Sequence, residues 1–105
     1  MATTIHEMGD RDSYESVELY HEWAAAHPNI HWTEASVDRY DGLMLSGVDS
    51  TNPADQIGLH FARPLCGYGG SGPIATVDIL EAAGFGPRER LEAIVFKQTE
   101  VLISR

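Results

Sequence analysis

Hydrophobic residues recur along this chain in two periods. Between residues 13 and 26, Val17, Leu19, Tyr20, Trp23, Ala24 and Ala26 fall on one wide face at helical spacing, while Glu15, Glu18 and Glu22 gather on the other. Asp12 precedes Glu15 by the interval of a capping box, and Pro28 disfavours helix at His27, so the pattern predicts a helix over 13–26. The period then shortens to that of strands. Ile30 and Trp32 alternate within 29–37, and Asp41-Gly42 separates Tyr40 from the run "LMLSGV". Asp-Gly between two extended runs signals a hairpin, because glycine accepts the positive φ that such turns require. Residues 31–40 and 43–48 are therefore expected to pair. A polar loop is expected over 49–55. A strand follows over 57–63, with Ile57, Leu59 and Phe61 on one face and Gly58, His60 and Ala62 on the other.

The two ends are less regular. "TTIHE" (3–7) reads as a short edge strand that "MGDRD" breaks. "PLCGYGGSG" reads as a loop, and Pro73 suits the first position of a second helix whose apolar side is Val77, Ile79, Leu80 and Ala83. Gly84 followed by Phe85 has the form of a glycine stop with its hydrophobic follow-on contact. Beyond Pro87 the pattern is ambiguous: a short helix can begin there, whereas Ile94–Phe96 and Val101–Ile103 look extended. The resulting order is βαββαβ-like, the split βαβ of ferredoxin-like domains. It predicts an α+β fold with an antiparallel sheet and two helices on one face. The other sheet face then needs solvent, a partner or a cavity. Dimeric versions of this arrangement close two sheets over a pocket, so a homodimer is expected.

Composition narrows the setting. A chain of 105 residues, 43% of them hydrophobic, is expected to form a single domain over 1–105 rather than a disordered segment. The lone cysteine excludes an intrachain disulfide and Cys₄ or Cys₂His₂ zinc sites, and it suits a reducing, cytoplasmic compartment. No apolar run approaches the roughly 18 residues of a membrane helix, and the N-terminus lacks the basic and apolar regions of a secretory signal. Neither a membrane nor nucleic acid is expected as a partner, since the net charge is −9 and only Arg88 and Arg90 lie close together among the basic residues. The acidity fits a solvated surface, or alternatively a protein that mimics nucleic acid to block its binder. Six arginines to one lysine point to a bacterial source.

Candidate chemistry centres on the stretch "CGYGGSGP". Backbone amides at a helix start can hold an anion, and glycines let a ligand approach closely. This makes Gly67, Tyr68, Gly69, Gly70 and Ser71 candidate ligand contacts, with Trp32 a candidate wall of a sheet-side pocket. Gly67, Gly69 and Gly72 match dinucleotide-loop spacing, but no Rossmann βαβ unit surrounds them and no Lys-Ser or Lys-Thr follows, so a structural turn is the competing reading. Cys66 could act as a nucleophile if His60 met it, and His60 or His31 could move a proton. Glu34 and Asp38 are further candidates for acid–base work. The histidines show no metal-ligand spacing, and "HEWAA" lacks the second histidine of a zinc-peptidase motif, so no metal or cofactor is expected. Two function classes follow. The first is a small cofactor-independent enzyme, of the kind found in bacterial specialised metabolism, that binds an organic substrate in a sheet-side pocket and uses histidine for proton transfer. The alternative is a non-catalytic protein: a small-molecule binder, an acidic inhibitor or an immunity factor.

Overall fold

The computed structural model describes residues 2–9 and 12–105; Asp10 and Arg11, within the expected break at "MGDRD", lie outside them. The elements run β1 (Ala2–Glu7), α1 (Ser13–Ala26), β2 (Ile30–Asp38), β3 (Leu43–Asp49), β4 (Asn52–Phe61), α2 (Ser71–Ala82), α3 (Arg88–Val95) and β5 (Glu100–Ser104). The helix over 13–26 forms as its spacing predicts. The Asp12 carboxylate accepts the Glu15 amide at 2.7 Å, and His27 caps the other end. The hairpin forms as well, with Leu43 opposite Val37 and Asp49 opposite Ile30. Its glycine is required: Gly42 has φ +91, and a Cβ there would fall 2.0 Å from the Phe61 carbonyl oxygen. At the end of α2, Gly84 (φ +87) donates to Glu81 O at 3.1 Å and Phe85 to Leu80 O at 3.0 Å, the paired bonds of a Schellman stop.

The sheet overturns the ferredoxin-like, all-antiparallel expectation. Its five strands follow the order β1-β4-β3-β2-β5, and β1 lies at an edge, parallel to β4, which makes the sheet mixed. The described residues form three helices rather than two. The added helix takes up Ile94, which looked extended. Leu91 and Val95, four apart and thus on one helical face, are both buried, and only Val101–Ile103 keeps its extended form, within β5. The expected loop over 49–55 is also shorter. Asp49 accepts the Thr51 amide and hydroxyl at 2.8 and 2.6 Å, closing a tight turn, and β4 begins at Asn52.

The three helices cover one face of the sheet. Leu43, Leu45, Leu59 and Phe61 meet Tyr20, Val77, Ile79, Leu80, Leu91 and Val95 in one buried cluster. Fully burying side chains of this size contributes roughly 1.5–3 kcal/mol each, before conformational entropy is counted. A bulge in β2 adjusts the phase of this packing. The register shifts between Trp32 and Glu34, so Trp32, Ala35 and Val37 all face the core although Trp32 and Ala35 are three apart. The opposite face carries no helix among the described residues. Among the described residues, no helix is long and apolar enough to cross a membrane.

Candidate functional site

The bare sheet face presents Ile5 and Glu7 from β1, Gly58 and His60 from β4, Met44, Ser46 and Val48 from β3, Glu34 and Ser36 from β2, and Leu102 from β5. Small side chains at Gly58, Ser46 and Ser36 leave two shallow hollows of about 340 Å³ each. One is floored by Ile5, Met44 and Val48 beside Glu34, and the other by Met44 and Leu102 beside Asp38, Asp41 and Glu100. Among the described residues, neither is lined by a lysine or arginine. Asp38 also builds the hairpin turn. Its Oδ1 accepts the amides of Asp41 at 2.6 Å and Tyr40 at 2.8 Å, and these two bonds hold its pKa below the ordinary carboxylate value.

His60 sits at the end of this face, held on both ring nitrogens. Nδ1 lies 2.6 Å from Glu7 Oε2, and Nε2 lies 2.6 Å from the Asp41 carbonyl oxygen. Both partners are acceptors, so the doubly protonated imidazolium satisfies both contacts while a neutral ring satisfies only one. Burial works against that charge; the bonds to Glu7 and to the Asp41 carbonyl outweigh it, and the His60 pKa is raised. His60 thereby ties edge strand β1 and the β2–β3 turn to β4. Both ring nitrogens are thus engaged by groups of the chain itself. The sequence marked Asp41 only as a turn residue and did not single out Glu7. Alternation along β1 places Glu7 on the face of Ile5, but pairing it with His60 requires knowing that β1 joins β4.

The other candidate residues do not converge on His60. His31 pairs with Val48 and His60 with Met44, which separates the two histidines by four residues of β3, about 13 Å along the strand. Cys66 lies in the core on the helix side of the sheet, fully buried, with its Sγ 3.7 Å from the Val37 carbonyl oxygen, and burial raises its pKa. Trp32 belongs to the same core and packs 5.8 Å from Trp23, centroid to centroid. The glycine loop is anchored by its own chain. The Gly67 amide donates to Val95 O at 2.8 Å, and the Thr76 hydroxyl reaches Leu65 O at 2.6 Å. Tyr68 packs on Gly70 and Gly72; a Cβ at Gly72 would fall 2.7 Å from the tyrosine hydroxyl. These glycines thus allow a close approach of the chain to itself. Gly69 alone has open space about it, and Ser71 begins α2. No group of three or more metal-ligating side chains occurs among the described residues. In comparisons with known proteins, no family model, no curated protein and no solved structure matches this chain.

Proposed function

We propose that this chain is a non-catalytic binding protein whose open sheet face docks a cationic, partly apolar surface of another protein. One observation carries the reading: apolar side chains stand exposed on that face among carboxylates, and no described lysine or arginine lines its hollows. Ile5 is 54% exposed and Leu102 67%, with Met44 and Val48 between them and Glu34, Asp38, Asp41 and Glu100 alongside. An antiparallel face can be left to water when it is polar, but isolated apolar groups on it gain by being covered. A basic partner would meet complementary charge, which steers encounter and excludes acidic competitors. Two copies of this chain would bring like charges together, so a second copy is the weaker occupant. The arrangement of His60 favours binding over proton transfer, because both its ring nitrogens are engaged. The buried free thiol of Cys66 suits a reducing compartment such as the cytoplasm.

The test compares what the immobilised protein, a Glu34→Lys/Glu100→Lys variant and a Leu102→Ser variant retain from a lysate of the source cells. The reading predicts one basic protein held by the unaltered chain, released by salt near roughly 0.5 M as charges are screened, and lost from both variants. Equal retention by all three, or retention of nothing, overturns it.

A further inference from the structure

A second surface lies on the helical side, away from the open sheet face. The first turns of α1 and α2 stand side by side, and between them is a cleft of about 260 Å³ floored by Val17 and Ala75. Its walls are two large apolar side chains left in water, Tyr14 (82% exposed) and Ile74 (44% exposed). The rim is acidic. Glu18 and Asp78 line the cleft, and the adjoining surface of α1 adds Glu22. Arg88 spans Asp78 at 2.6 Å and Glu81 at 3.4 Å, so the acidity offered to a partner lies with Glu18 and Glu22 on α1. Among the described residues, no lysine or arginine lines either hollow.

We propose that this cleft is a second docking site, one that takes an apolar side chain carried on a cationic segment of a partner protein. The anchor would insert between Tyr14 and Ile74 onto Ala75, while lysine or arginine side chains one turn away meet Glu18 and Glu22. Burial of a single anchor in a preformed apolar slot is the usual source of affinity in such contacts, and the flanking charges set orientation. The same acidity opposes a second copy of this chain and an anionic lipid surface. This proposal stands apart from the open sheet face, so either can fail alone.

The probe is a short acetylated Lys/Leu amphipathic peptide titrated onto the isotope-labelled protein by NMR. A Lys/Ser peptide of equal charge and a Glu/Leu peptide serve as controls. Saturable shifts at residues 13–18 and 71–78 are expected with the Lys/Leu peptide. Affinity should fall about tenfold or more for each control peptide, and likewise for the Ile74→Ser and Tyr14→Ser variants, whose side chains are exposed and whose folding is checked by circular dichroism. Equal affinity for the Lys/Ser peptide shows charge adsorption alone and overturns the proposal. So do unchanged affinity in both variants, shifts confined to the open sheet face, or no binding.

Discussion

Replacing His60 with alanine removes the tie between β1, β4 and the β2–β3 turn, and the structure sets the size of the loss. Two contacts disappear, each 2.6 Å long: the ion pair to Glu7 and the bond to the Asp41 carbonyl. The Glu7 side chain is 73% exposed, so solvent screens the pair, and exposed ion pairs contribute about 0.2–1 kcal/mol. The bond to the Asp41 carbonyl adds about 1 kcal/mol. His60→Ala should therefore cost roughly 1–2 kcal/mol near pH 6, a fall in Tm of roughly 5–15 °C for a chain of this length. The pH dependence has a definite sign. The folded-state pKa of His60 is raised above the ordinary 6.5, so the contribution of its charge is fully present below 6.5 and is lost as pH rises through the folded value. Urea unfolding of the natural chain and the variant from about pH 5 to pH 9 measures this; the stability difference should narrow as pH rises. Glu7→Gln should flatten the same pH dependence while keeping the bond to Asp41. If His60→Ala leaves stability unchanged at pH 6, or if the difference widens with pH, His60 is not a structural tie and its availability for proton transfer must be reconsidered.

Three further outcomes follow from the same geometry. Cys66 should resist a disulfide reagent in the folded protein and react on unfolding, because its thiol is fully buried and its pKa raised; rapid reaction of the native chain would contradict its place in the core. Gly42→Ala should destabilise by about 2–3 kcal/mol or more, given φ +91 and the 2.0 Å approach to Phe61 O, whereas Gly69→Ala should change stability by no more than about 0.5 kcal/mol, as thermal melts of the two variants will show. Asp38→Ala should cost about 0.5 kcal/mol after solvent screening, and acid titration should show the Asp38 contribution present above pH 3.8 and lost as pH falls through its lowered folded value.

What the sequence displayed and what it concealed divide along local and long-range lines. Helix α1, its Asp12 cap, the Asp41-Gly42 hairpin and the Gly84-Phe85 stop were legible because each depends on residues within a few positions of one another. The position of β1 beside β4 was not, because no local signal tells an edge strand which neighbour it will join. The bulge at Trp32/Glu34 breaks the alternation on which strand reading relies, and the apolar run Ile94–Phe96 has the same composition in a short helix as in a strand. The glycine loop attracted a ligand-binding reading because glycine permits close approach to any object. Here the object at Gly72 is Tyr68, and at Gly67 it is the Arg39 side chain and the Gln98 carbonyl. Of the candidate site, His60 was found by its place on the polar face of β4, while Glu7, Asp41, Met44 and Leu102 required the strand order.

The central claim is that the open sheet face is covered by a cationic protein. A photo-crosslinking amino acid placed at Ser46 on that face, and separately at exposed Ala93 on α3, tests it in living source cells. The account predicts one crosslinked protein of basic isoelectric point from Ser46 and none of it from Ala93. No crosslink from Ser46, or only a dimer of the chain itself, would contradict it.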